Sequence, residues 1–156
     1  MAVRLQREEF DVAAEVAALT AGRTDIGAVV TFTGICREGE GDARIVAMTL
    51  DHYPAMAQAE LERIEAEARQ RWSLQGVNVI HRFGRLVPGD TIVLVVTASA
   101  HRQAAFDAAA YLMDYLKTRA PFWKREERAA GAAWVEARQA DEAAAARWTH
   151  PEEGDA

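Results

Sequence analysis

Residues 76–118 read GVNVIHRFGRLVPGDTIVLVVTASAHRQAAFDAAAYLMDYLKT, and their reading decides the fold. Val77, Val79 and His81 alternate with Asn78, Ile80 and Arg82, which is the period of a strand. Val87-Pro88-Gly89-Asp90 has proline second and glycine third, as a tight turn requires. Thr91 to Thr97 (TIVLVVT) reads as the most buried strand. Ser99 is placed to cap a helix from about His101 to Thr118. In that helix Ala105, Ala109, Leu112 and Leu116 form one apolar row, and Phe106, Ala110, Met113 and Lys117 form the next. Lys117 therefore ends a partly apolar stripe instead of lying on the polar face, and Pro121 stops the helix.

The same strand–strand–helix rhythm extends in both directions. Upstream, a short strand at Val3 to Leu5 precedes a helix over Asp11 to Thr20 that Gly22 can end. Gly27 to Cys36 (GAVVTFTGIC) reads as a buried strand, and Arg44 to His52 as the next strand, antiparallel to it. The REGEGD loop between them, Arg37 to Asp42, is glycine-rich and reads as mobile. Pro54 opens a helix to about Trp72 with the stripe Ala57, Leu61, Ile64, Ala68 and Trp72. Downstream, Phe122 to Arg125 and Ala133 to Ala137 are expected to pair around a turn at Gly131, before a short helix from Asp141 to Trp148. Antiparallel hairpins alternating with helices define an α+β chain, expected as one domain over residues 1–148 with a flexible tail over 149–156.

Composition narrows the function. The 156 residues carry a net charge of −6, which argues against a general nucleic-acid binder. The most apolar stretch, Thr91 to Ala100, is far too short to span a bilayer, and MAVRLQREEF lacks the apolar core of a signal peptide, so a cytoplasmic location is expected. The single cysteine, Cys36, excludes an intrachain disulfide and reads as a small buried hydrophobe. His52, His81 and His150 have no metal-ligand spacing, and neither a metal nor a cofactor is expected.

Charge is unevenly spread. Lys117 to Arg128 (KTRAPFWKREER) carries +3, leaving −9 for the remainder. Of 18 basic residues only Lys117 and Lys124 are lysine, and both fall in this segment. A lysine can lose its proton and act as acid, base or nucleophile, which a guanidinium cannot. A cation at a helix C-terminus is also favourable in itself, so Lys117 has a purely structural explanation too. At the other end of the helix, His101 and Arg102 combine two basic side chains with outward N–H groups, a pattern suited to phosphate or carboxylate. An RNA-binding module using KTRAPFWKRE, or a bare scaffold protein, is the alternative.

Six blocks occur in order: VVTFTGICR (29–37), LDHYPAM (50–56), VIHRFGRLVPGD (79–90), SAHR (99–102), MDYLKTRAPFWKRE (113–126) and WVEAR (134–138). Together they resemble the catalytic, or large, subunit family of molybdopterin synthase, over about residues 3–148. The resemblance implies an α+β fold of the α/β-hammerhead type. It implies a sulfurtransferase that converts cyclic pyranopterin monophosphate (precursor Z) to molybdopterin. The sulfur donor would be the C-terminal Gly-Gly thiocarboxylate of a small ubiquitin-like subunit, bound to a homodimer within a heterotetramer. The family's catalytic lysine falls on Lys117 and its second active-site lysine on Lys124; its anion-binding residues fall on Arg37, His101, Arg102 and Arg138.

Overall fold

The structure is a computed structural model and describes residues 2–129, 131–135 and 139–149. In chain order the elements are β1 (Val3–Gln6), α1 (Val12–Thr20), β2 (Ala28–Ile35), β3 (Ile45–His52), α2 (Pro54–Arg71), β4 (Gly76–Arg82), β5 (Gly84–Leu86), β6 (Thr91–Ser99), α3 (Arg102–Thr118), β7 (Phe122–Arg128), β8 (Gly131–Val135) and α4 (Gln139–Ala146). They build two four-stranded sheets, ordered β1-β4-β6-β2 and β5-β3-β7-β8. Every pairing is antiparallel except β1 with β4, which is parallel. The α+β expectation holds. No helix among the described residues is long and apolar enough to cross a membrane.

Strand alternation assigns the two faces of the first sheet. Val77 and Val79 of β4 and Val93 and Val95 of β6 meet Leu61, Ile64 and Ala68 of α2 and Leu112 and Leu116 of α3. Ile80, Leu94 and Val96 face the other way, onto Val12, Val16 and Leu19 of α1. Helices on both faces explain why β6 is apolar throughout: it has no solvent side. Alanine makes the α3 contact close, with Ala105 and Ala108 fully buried. The buried Thr97 hydroxyl donates to the Ala105 carbonyl at 2.7 Å, so a polar atom in the core is satisfied across the same contact. The second sheet has a smaller core of Cys36, Met48, Leu50 and Leu86.

Three sequence expectations change. β2 and β3 are not partners: β2 pairs with β6 in one sheet, and β3 pairs with β5 and β7 in the other. The connection between them is too long for a tight hairpin, and Gly39 and Gly41, with positive φ, carry the chain from one sheet to the other. The Ile45 N–H closes this connection by donating to the Glu38 carbonyl at 2.6 Å. Ser99 does not cap α3: it ends β6 and donates to the Ser73 carbonyl at 3.0 Å, while His101 occupies the N-cap. The β7–β8 pairing expected around Gly131 is present, but Gly131 is already the first residue of β8, opposite Arg128.

Gly27 fixes where α3 begins. Its N–H donates to the Ser99 carbonyl at 2.9 Å, and a Cβ added there would meet the Ala100 carbonyl oxygen at 2.1 Å. Backbone must then move, next to His101. Gly27→Ala is expected to cost about 2 kcal/mol or more of stability in urea denaturation; an unchanged midpoint would contradict this account of the β6–α3 junction.

Candidate active site

Five of the predicted site residues divide between the two ends of α3. His101 and Arg102 are exposed at its N-terminus, and Lys117 is exposed in its last turn. Fifteen residues at the helical rise separate Arg102 from Lys117 by about 22 Å. Arg37 is exposed just past β2, beside the turn before β6: the neighbouring Cys36 donates to the Asp90 carbonyl and accepts from Gly89, both at 2.8 Å. β2 runs antiparallel to β6, so Arg37 belongs to the Lys117 end of the molecule and His101 to the opposite end. Arg138 lies outside the described residues. Within one chain, therefore, the described basic residues do not form one site.

Lys124 joins the Lys117 end. In β7, Phe122, Lys124 and Glu126 share one face, opposite His52, Leu50 and Met48 of β3. That face is the inner one: Glu126 is 4% exposed, and Leu50 and Met48 belong to the core. Lys124 is half-buried and its Nζ lies 3.0 Å from Glu126, which also pairs with Arg128. Burial works to raise the Glu126 carboxyl, but the bonds from Lys124 and Arg128 outweigh it and hold the group below its usual range. The charge of Lys124 is also felt at the Cys36 thiol, which burial pushes up. Cys36 is thus a core residue of the second sheet, as the sequence implied, and lies near the amine end of the site.

A column of rings joins the two sheets. The His81 ring stacks on Phe122 with centroids 4.1 Å apart and planes 17° apart. Phe122 is followed by His52 at 5.8 Å, His52 by Phe83 at 4.3 Å, and the Arg7 guanidinium covers Phe83 at 4.7 Å. His81 lies on the α3 face of β4, as its alternation with Val77 and Val79 requires. Burial pushes its imidazole down to about 4, with the charges of Lys117 and His52 adding to the effect. His81 is thus neutral at pH 7 and near Lys117. Arg119, just past α3, turns the other way and pairs with Glu60 at 3.2 Å and Glu67 at 3.1 Å on α2, pinning the helix end.

Sequence reasoning found the lysines through the rarity of the residue type but missed Glu126, Phe122 and His81. The signal for Glu126 was available in the period-two face Phe122, Lys124, Glu126, which places a carboxylate beside the lysine. The stack was not legible, because its rings come from three strands and a connecting residue.

A model of the MoaE protein family matches residues 5–119. The molybdopterin synthase catalytic subunit of Mesorhizobium japonicum is 62% identical over 148 residues, which is 94% of this chain and 92% of that one. The molybdopterin biosynthesis MoaE protein of Burkholderia ambifaria has the same fold, with a TM-score of 0.81 at 48% identity over 97% of this chain and 100% of that one. A more distant fold neighbour, at TM-score 0.72 and 21% identity over 88% and 92%, comes from a complex of subunits 1 and 2 of the Helicobacter pylori molybdopterin-converting factor. The chain belongs to the MoaE family, the catalytic subunits of molybdopterin synthase.

The depressed His81 value makes stability depend on pH. The unfolded imidazole binds its proton near 6.5 and the folded one near 4. The contribution is therefore complete above about 6.5 and is lost as pH falls towards 4. His81→Phe is expected to remove about 2 kcal/mol of the acid-induced loss across that window in denaturation measured at several pH values. Parallel wild-type and variant curves would contradict it.

Proposed function

We propose that this chain installs the dithiolene sulfurs of molybdopterin on precursor Z, taking each from the C-terminal thiocarboxylate of a small ubiquitin-like carrier. What supports this reading is that Lys117, in the last turn of α3, lies near His81, while Lys124 follows two residues after Phe122, the ring on which His81 stacks. A thiocarboxylate is already a sulfur nucleophile, so the enzyme need not supply one. Its sulfur attacks a side-chain carbon of the pterin, and the oxygen on that carbon leaves as water. The product is an acyl thioester between the carrier's terminal glycine and the substrate. Water then cleaves the acyl–sulfur bond, leaving sulfur on the pterin and a carboxylate on the carrier; a second carrier repeats the cycle. Each step needs protons moved at a fixed place, and Lys117 performs that transfer as general acid and base. Lys124, held by Glu126, supplies positive charge to the substrate.

The phosphate requires the other basic residues, and these lie at the far end of α3. A second copy of the chain resolves the separation. β2 is an edge strand among the described residues, and AVVTFTGI contains no charge or proline to block pairing. Its exposed residues include Phe32 and Ile35, and Phe106 of the neighbouring α3 is 57% exposed. Antiparallel pairing of two β2 strands about a two-fold axis would set the His101–Arg102 end of one protomer beside the Arg37, Lys117 and Lys124 end of the other. Each site would then take its anion-binding His101 and Arg102 from the opposite protomer, with Arg37 and Arg138 completing the cradle. A cytoplasmic homodimer with one small subunit per protomer, a heterotetramer, is the assembly this reading requires.

Two variants test the roles. Lys117→Arg keeps the charge but not a readily titrated amine. It is expected to lower molybdopterin formation from purified precursor and thiocarboxylated carrier by at least about a hundredfold; near-normal output would contradict proton transfer by this residue. Arg102→Ala is expected to weaken precursor binding about tenfold in calorimetry, with carrier binding unchanged. Unaltered precursor affinity would remove Arg102 from the phosphate site.

A further inference from the structure

We propose that His81 is a positioning residue for the lysine pair: its ring, stacked on Phe122, fixes the start of β7 against the end of α3 and so sets the separation of Lys117 from Lys124. The inference rests on the reading of those lysines as the catalytic pair.

Lys117 and Lys124 are seven residues apart, and Phe122 is the fixed point between them. Lys117 occupies the last turn of α3, and the chain turns sharply after it, with the Phe122 N–H donating to the Ala120 carbonyl at 2.8 Å. Lys124 follows two residues later on the same face of β7 as Phe122. The two lysines therefore ride on different sheets: α3 packs on the first, and β7 belongs to the second. Phe122 is where they are registered. On one side its ring meets His52 of β3, its cross-strand partner in the second sheet. On the other it stacks on His81 of β4, in the first sheet.

The His81 ring is itself oriented by hydrogen bonding. Its Nδ1 lies 2.8 Å from the Arg82 carbonyl, which only accepts, so the neutral ring carries its hydrogen there. Arg82 is only 8% exposed and donates to the carbonyls of Arg7 and Thr91, both at 2.9 Å. The plane offered to Phe122 is thereby tied to β4 and to the chain beyond β1. His52 has no such tie among the described residues: its buried Nδ1 meets no hydrogen-bond partner there, and its ring is held between Phe83 and Phe122. His81 is thus the ring in the column whose own hydrogen bond fixes it. Displacing a reacting group by about 1 Å costs up to about a hundredfold in rate, so loss of this stack should be read in the chemical step.

The test uses the dimer with its small subunit and follows single-turnover formation of molybdopterin. His81→Leu fills the volume without a flat face, and is expected to slow the step at least about tenfold while leaving precursor and carrier affinities within about twofold. His81→Phe restores the stacking ring and is expected to return the rate to within about threefold of wild type. In a Lys117→Arg background, His81→Leu is expected to add less than about twofold, because the group it positions is gone. If His81→Leu does not fold, Phe122→Leu attacks the same contact from the other side and is expected to give the same loss. Wild-type rates in the leucine variant that folds, no rescue by phenylalanine, or a full multiplicative loss in the Lys117→Arg background would each overturn the inference. An active Lys117→Arg enzyme would instead overturn the lysine reading beneath it, whereas an inactive Lys117→Arg enzyme beside a fully active His81→Leu enzyme would overturn only the positioning role.

Discussion

The packing of α3 along β6 is the constraint on which the rest of this structure depends. It is an antiparallel return: the chain leaves β6 at Ser99, turns through Ala100 and His101, and comes back over the strand it has just left. Small side chains make the approach close, and the Thr97 hydroxyl bound to the Ala105 carbonyl ties helix to strand inside the core. The cost of burying an unsatisfied hydroxyl makes that contact selective for one register. Register matters here because the proposed site draws on both ends of α3. Whatever slides the helix along β6 moves His101, Arg102 and Lys117 together.

The second sheet supplies what α3 lacks. It carries Lys124 on an inner face, where a half-buried lysine and a buried glutamate neutralise each other and are held at 3.0 Å. The two sheets communicate through rings instead of a shared ladder. His81 stacks on Phe122, and burial keeps that imidazole neutral at physiological pH. On the proposed reading, the two amines of the site come from separate layers and one short column of side chains governs their spacing.

Much of this architecture was legible in the sequence, for identifiable reasons. β6 announced itself because a strand covered on both faces must be apolar throughout. α3 was visible in its two apolar rows, and its end in Pro121. The lysines stood out because arginine serves every other basic position in the chain. What failed was pairing. β2 and β3 are consecutive and both strand-like, yet nothing local states that the glycine-rich connection carries the chain into another sheet. Ser99 has the side chain of a cap but is drawn instead to the Ser73 carbonyl, a partner 26 residues away. The division of the candidate site had the same cause: spacing places His101 and Lys117 on one helix, but only the length of that helix shows that they stand at opposite ends.

That separation makes shared ownership of the site the central claim, and subunit mixing tests it most directly. Lys117→Arg chains, about a hundredfold impaired, and Arg102→Ala chains, about tenfold impaired at limiting precursor, would be unfolded together, refolded as mixed dimers and assayed at limiting precursor. If each site combines Lys117 of one protomer with Arg102 of the other, half of the dimers are mixed and hold one intact site each, so activity should return to about a quarter of wild type. A mixture no more active than its parents would contradict the account and return both residues to the same chain.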